Sequence, residues 1–311
     1  MTDPLELRDI ALVRAANPGP FTLRGTNTWL VGRDPCWVVD PGPALAEHVA
    51  AVLAEAERRG GIGGIALTHD HGDHADAAPA LRDRAARRDA RAALGAPPKA
   101  PGADSAGSTG RPASAARGPA GAPAAASAQA GGPPVGAARW PAADVVLAEG
   151  DAFGPLRVIA TPGHAADHLA FVFEDVCFTG DAVLAESSVF VAPDPGALRG
   201  YLAALERLRT LDLALLCTGH GPPVTDPGAL LARYLAHRAD RERRLVAALD
   251  DGLRGVDDLL DRVWDDAPPS LRLAATATLA AHLDKLDEDG ALPADVERPP
   301  WPPAGGLRPV V

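Results

Sequence analysis

An α/β layered fold is predicted by three features of the chain. Short β-branched runs alternate with segments of helical period. Apolar strand-like runs end repeatedly in Gly-containing loops that carry a His or an Asp. Hydrophobic residues make up 47% of 311, enough to bury a sizeable core without staples. Aromatics are only 4%, so that core leans on Leu, Val and Ala. The 3 Cys (Cys36, Cys177, Cys217) are spaced too widely for CxxC or a disulfide framework, which fits reduced thiols. A net charge of −11 disfavours a global nucleic-acid-binding surface. No apolar stretch reaches the ~18 residues of a membrane span. The opening MTDPLELRDIALVRAANPGP is charged and lacks an apolar signal core. Together these features predict a soluble, cytoplasmic protein with no membrane partner.

The elements follow in order. Residues 6–16 form a β-type run. Thr28–Gly32 and Cys36–Gly42 form a hairpin across the turn signal GRDP. Residues 44–58 form a helix with Leu45, Val49, Val52 and Leu53 on one face. Gly60 to Gly64 ends it, and Ile65–Thr68 is a short buried strand running into THDHGDH. A helix is expected over 78–92. From Ala100 to Arg139, 33 of 40 residues are Ala, Gly, Pro or Ser, a composition that cannot offset its ordering entropy. A disordered insertion is therefore expected at about 96–140. Strands are expected at 144–148, 156–161 and 169–179, then a helix at 196–208, the strand LALLCTGHG and a long helix at 227–250. Two more helices follow at 256–265 and 270–289, and the Pro-rich tail from 296 to 311 is expected to be loose.

The chemistry concentrates at strand ends. THDHGDH supplies His69-x-His71-x-Asp73-His74 just past an apolar strand. Strand side chains alternate with period two, so His69 and His71 are expected to share a face. Imidazole and carboxylate ligands without thiolate suit a hydrolytic metal such as zinc. Downstream, TPGH delivers His164, TGD delivers Asp181 and TGHG delivers His220, each after a strand. In α/β folds that edge is where sites are built. Asp40, closing a strand before Pro41-Gly42, is either a partner of a ligand imidazole or a turn-forming Asp. His168, four residues after His164, is assigned a supporting role. His48, His237 and His282 lie on helices and are assigned to structure. Arg233, Arg238, Arg241, Arg243 and Arg244 could form a stripe for phosphate or an acyl-carrier anion. Salt-bridged solvation of an exposed helix accounts for them as well.

The order HxHxDH, His164, Asp181, His220 resembles the metallo-β-lactamase-fold hydrolase superfamily. NPGPFTLRGTNTWLVG, VVDPGP, TPGHAADHLAF, FTGDAVL and CTGHGPPV resemble its beta-lactamase-like protein 2 subgroup, which adds a small winged-helix-like C-terminal domain. HLDKLDEDG, from His282 to Gly290, resembles the subgroup's closing motif. The likeness spans roughly residues 10–95 and 140–292. Ala75-Asp76-Ala77-Ala78 departs from the family's Gly-Gly after the last motif His.

The resemblance implies a four-layer αβ/βα sandwich over 1–226, broken by the insertion, and a winged-helix-like domain over 227–295. It also implies two zinc ions per chain. His69, His71 and His164 would hold one, and Asp73, His74 and His220 the other, with Asp181 bridging them. Seven protein ligands suit two open sites better than one closed structural site. A metal-bound hydroxide would be the nucleophile, with Asp73 also orienting it or taking its proton. The lactamases of the superfamily usually have Cys where Asp181 stands, so antibiotic hydrolysis is not expected. The expected activity is hydrolysis of an ester, thioester or phosphodiester, with a small-molecule or RNA substrate and no obligate protein partner. Cleavage of single-stranded RNA is the alternative. A non-catalytic metal-stabilised binding module is disfavoured by the seven ligands. An iron oxidoreductase is disfavoured by the imidazole-rich pattern and the lack of a following flavin domain.

Overall fold

The computed structural model describes residues 4–86, 93–98 and 143–300. A six-stranded sheet runs in the order β1 (Ile10–Arg14), β2 (Asn27–Val31), β3 (Cys36–Val39), β4 (Ile62–Ala66), β5 (Ala93–Ala96), β6 (Val145–Val146). The expected hairpin is β2–β3, antiparallel, and β3, β4, β5 and β6 run parallel. A five-stranded sheet runs β11 (Leu215–Thr218), β10 (Val176–Gly180), β9 (Leu169–Phe173), β8 (Leu156–Ala160), β7 (Ala152–Phe153).

Strand alternation distributes side chains between two cores. On β2, Trp29 and Val31 join Phe171, Val176 and Phe178 of the second sheet in the central core. Leu30 between them faces outward onto α1 (Ala46–Arg58) and α3 (Ala78–Ala86), where Val49, Val52 and Leu81 cover the first sheet. On the other side, α4 (Ala197–Arg209) and α5 (Pro227–Asp250) cover the second sheet through Leu198, Tyr201, Leu205, Leu231 and Tyr234. The result is the four-layer helix–sheet–sheet–helix stack.

Helix α5 starts where Asp226 accepts from Ala229 N (2.9 Å) and Pro227 takes a first-turn position that needs no donor. Its 24 residues span ~36 Å, longer than one core is wide. Its second half packs Leu245, Ala248 and Leu249 against α6 (Val256–Val263) and α7 (Arg272–Glu288) in a separate core with Leu259, Val263, Leu279 and Leu283. No strand occurs among described residues 227–300. No helix there or elsewhere in the described residues is long and apolar enough to cross a membrane.

Several expectations are corrected. The run 169–179 is two antiparallel strands, β9 and β10, turning at Glu174–Asp175 with Glu174 at φ 53°. The helix expected over 78–92 is described over Ala78–Ala86, and residues 87–92 lie outside the described residues. Strand β5 then follows, placing Ala96 in a sheet and not in an insertion. Its Gly95 is required because a Cβ there would stand 2.7 Å from Leu147 and 2.9 Å from Phe153. Residues 99–142, most of the expected insertion, and 301–311 of the expected tail lie outside the described residues. The described start of that tail is not loose. Val296 packs on the C-terminal core, and Arg298 pairs with Asp284 and Asp287.

The arginines of α5 do not form one solvated stripe. Arg238 and Arg241 are buried. Arg241 donates to Val263 O and grips both oxygens of Asp266, while Arg243 and Arg244 pair outside with Asp240 and Asp265.

Candidate metal centre

The site is built on the loops that leave β4, β8, β10 and β11. His69 and His71 follow β4, and α2 (Gly72–Ala75), a single turn, carries Asp73 and His74. His164, Asp181 and His220 arrive from the other three loops. The strand stops at Ala66, so His69 and His71 meet through the loop and not through strand alternation; their rings are 4.5 Å apart, edge to face. His69, His74, His164, Asp181 and His220 are buried, and so is nearly all of Asp73.

The donor atoms converge in three overlapping groups: His69, His71, His164; His69, His74, Asp181; and Asp73, His74, His220. His71 Nδ1 lies 3.0 Å from His69 Nε2 and 3.1 Å from His164 Nε2. A proton on His71 Nδ1 can serve only one of those two nitrogens. His74 Nε2 and His220 Nε2 are 3.3 Å apart, and Asp73 Oδ2 is 3.3 Å from the latter. Two ligands ~2.1 Å from one tetrahedral metal stand about 3.4 Å apart, so these separations fit shared cations. Asp181 presents Oδ1 to His74 and His220 (3.5 and 3.4 Å) and Oδ2 to His164 (3.7 Å).

Hydrogen bonds on the far side of each ring fix which nitrogen faces inward. His74 Nδ1–H donates to Asp40 Oδ2 (2.9 Å), turning Nε2 toward the cluster. Thr68 Oγ1 gives its only hydrogen to Asp40 Oδ2 (2.8 Å), so it accepts from His69 Nδ1 (2.9 Å). His164 and His220 turn Nδ1 toward the carbonyls of Phe190 and Gly25, each at 3.4 Å. Four of the five rings thus aim Nε2 at the cluster, the preparation a metal-binding imidazole needs.

Asp40 is both a turn residue and a hydrogen-bond partner of His74. Its left-handed backbone (φ 49°) turns the chain after β3, and its carboxylate holds His74, Thr68 Oγ1 and Thr68 N. His168 stands outside the donor groups. Its Nε2 accepts from Asp181 N (3.2 Å), its Nδ1 donates to Thr161 Oγ1 (2.8 Å), and its ring stacks on His69 at 4.9 Å. Several contributors carry no motif of their own. Thr26 Oγ1 donates to Asp73 Oδ2 (3.3 Å), and Asn27 Nδ2 brackets His220 by donating to Thr218 O and Gly221 O. Gly219 is demanded by the site, since a Cβ would fall 2.5 Å from Asp181 Oδ1 and 2.7 Å from His74 Cε1. Ala75, Ala77 and Ala78, the departure from the expected Gly-Gly, are buried in the core beneath α1 and α3.

The electrostatics divide the imidazoles. Burial, followed by neighbouring rings, holds His69 and His168 well below the usual histidine range, and burial with His71 brings His164 down to about 4. Burial works the same way on His74, but the charges of Asp73, Asp181 and Asp40 outweigh it and hold that ring well above its ordinary value. Burial also opposes the charged form of His220, yet Asp181 and Asp73 raise it to about 9. Burial would raise Asp73 and Asp181, but His74 and His220 pull both below the usual carboxylate range. Buried carboxylates here require positive charge between them, which protons or metal ions can supply.

Residues 21–220 match the family described as the metallo-beta-lactamase superfamily, and residues 256–292 match the beta-lactamase associated winged helix domain. The chain belongs to the metallo-beta-lactamase superfamily. It is therefore an enzyme of the metallo-hydrolase class, in a superfamily that binds metal ions. It is 28% identical over 298 residues to a beta-lactamase-like protein 2 homolog of Caenorhabditis elegans, covering 93% of this chain and 88% of that one. It is 31% identical over 247 residues to the atrochrysone carboxyl ACP thioesterase of Aspergillus chevalieri, covering 77% of this chain and 65% of that one. Its fold is similar to that of a beta-lactamase domain protein from Burkholderia ambifaria, with a TM-score of 0.66, 20% identity, and coverage of 90% and 86%.

Proposed function

We propose that this chain is a dinuclear zinc-dependent hydrolase that cleaves a small-molecule thioester or ester. The observation that carries this is Asp181, whose two oxygens face two different sets of imidazoles. His69, His71 and His164 would hold one ion, Asp73, His74 and His220 the other, and Asp181 both. The bound ions would supply Lewis acidity, polarising the scissile carbonyl and lowering the pKa of a water.

The chain's own residues do the rest. Asp73 Oδ2 accepts from Thr26 Oγ1 and faces His220, which leaves Oδ1 to orient the attacking water and accept its proton. Asp40 and Thr68 keep His74 and His69 in the tautomer that faces the cluster. His168 fixes Asp181 through its backbone. Burial keeps bulk water away from these groups and strengthens every charge interaction among them.

The acidic charge of the chain favours an uncharged acyl centre over a polyanion. Asp167, next to His168 in the chain, is driven up to about 6 by burial and then by the charges of Asp70 and Asp194. A net charge of −11 likewise disfavours binding of RNA phosphates. The similarity to an acyl-carrier thioesterase supports the same substrate class. The three buried free thiols suit a reducing, cytoplasmic setting. The test is purified protein assayed against an acyl-thioester panel and single-stranded RNA, with and without chelator. Chelator-sensitive thioester turnover is expected. Turnover of RNA alone would overturn the substrate assignment, and turnover insensitive to metal removal would overturn the mechanism.

A further inference from the structure

Between Asp181 and the start of α4, the segment 184–191 forms neither helix nor strand and meets the site at Phe190. Its backbone polar groups are engaged from outside by the C-terminal helices. Tyr234 Oη on α5 accepts from Leu184 N (2.8 Å) and donates to Ser187 O (2.6 Å). Arg233 Nη2 donates to Ala185 O (2.9 Å). Arg238 Nη2 donates to Val189 O and to Ser188 Oγ (3.2 Å), with its guanidinium over the Tyr201 ring. From α7, Thr278 Oγ1 accepts from Val191 N (3.4 Å).

These grips end on one peptide plane. The Phe190–Val191 peptide gives its N–H to Thr278, and its C=O receives His164 Nδ1 (3.4 Å). The Phe190 ring packs against the edge of His164 at 4.7 Å. A peptide is planar and rigid, so fixing its N–H fixes the direction of its carbonyl. Arg238 holds the carbonyl of the peptide before it.

We infer that Arg238 and Thr278 are positioning residues. Through the Val189–Val191 backbone they orient His164 toward the cluster, so that the C-terminal helices control how tightly the His69–His71–His164 group holds its ion. This rests on the metal-binding function proposed above. Arg241 supplies an internal control. It is a buried arginine one turn along the same helix, but it grips Val263 and Asp266 in the C-terminal core and nothing in the segment.

The test compares Arg238→Met, Thr278→Val and Arg241→Met in the full chain. Zinc affinity is read by competition with a chromophoric chelator, and amide hydrogen exchange is read over residues 184–191. Losing a group that orients a metal-bound histidine weakens metal binding ~10-fold or more. Arg238→Met and Thr278→Val should each weaken one of the two zinc ions by about that factor and speed exchange in the segment. Arg241→Met should lower the melting temperature and leave both zinc affinities at the wild-type level. Should Arg238→Met fail to fold, the near-isosteric Thr278→Val carries the test. Wild-type zinc affinity in both segment variants overturns the inference alone. Equal zinc loss in Arg241→Met also overturns it, because the effect then runs through global stability. A wild-type chain that binds no zinc overturns both this inference and the function on which it rests.

Discussion

The molecule contains two clusters of histidine and charged side chains, one buried and one reaching the surface at Asp266, and they are organised in opposite ways. At the candidate metal centre, Asp40, Thr68, Phe190 O and Gly25 O hold the imidazoles from outside, so the remaining ring nitrogens point inward at one another. Among the C-terminal helices, the arginine and lysine charges close on their own partners. Arg241 takes both oxygens of Asp266 at 2.6 Å, Lys285 reaches Glu242 at 2.8 Å, and His282 lies beside Trp264 with Glu242 Oε2 3.8 Å away. The difference teaches that buried histidine and carboxylate alone do not mark a site. What marks it is donors facing donors, an arrangement that pays off only when a shared cation completes it.

The sharpest way to break the comparison is to neutralise one member of the first cluster. Asp73→Asn keeps shape but removes a charge and a proton acceptor, so turnover should fall at least ~100-fold with an unchanged melting curve. Near-normal turnover with metal bound would remove Asp73 from the mechanism. The converse substitution belongs to the second cluster. Arg241→Met strips a buried, hydrogen-bonded charge from Asp266 and Val263 O, which should cost about 2 kcal/mol in denaturant unfolding while turnover per folded molecule stays at the wild-type value. Loss of turnover beyond the unfolded fraction would mean the two clusters are not separable.

Two finer measurements sharpen it. Thr68→Val deletes the hydroxyl that links Asp40 to His69, so zinc affinity should fall ~10-fold with little change in stability. Unaltered zinc affinity would show that the outer hydrogen bonds do not set the tautomer. Glu242 tests the closed cluster through pH. His282, then Lys285, hold its carboxyl down to about 2 from 4.5. A depressed carboxyl stabilises the fold above its unfolded pKa, and that contribution disappears as pH falls from about 4.5 toward 2. After solvent screening it is on the order of 1 kcal/mol. Urea midpoints between pH 6 and 3 should therefore fall less steeply in Glu242→Gln than in wild type; parallel slopes would contradict the assignment.

Much of the site was legible because strand ends punctuate a sequence visibly. HxHxDH, TPGH, TGD and TGHG each pair an apolar run with Gly and a polar residue, and the fold brings all seven side chains together. What supports them was less visible. Asp40 was legible only as one of two possibilities, since a left-handed Asp before Pro is also a turn residue. Thr26, Asn27 and Thr68 act through backbone groups and neighbouring rings, which leaves no spacing signature. Strand β5 reads ALGA, with no β-branched residue to announce it and with Gly95 where Leu147 and Phe153 crowd the backbone. The β9–β10 turn hides in Glu174-Asp175 without Gly or Pro. Arg238 and Arg241 defied the rule that charge faces water, since each finds buried carbonyls to donate to.

The central claim is that two ions share Asp181, and metal stoichiometry tests it most directly. Elemental analysis of the folded wild-type chain beside Asp181→Ala should give about two zinc ions per wild-type chain, both lost on chelation, and weakened retention of both in the variant. Retention of no more than one tightly held metal by the wild-type chain, with all seven residues intact, would contradict the account.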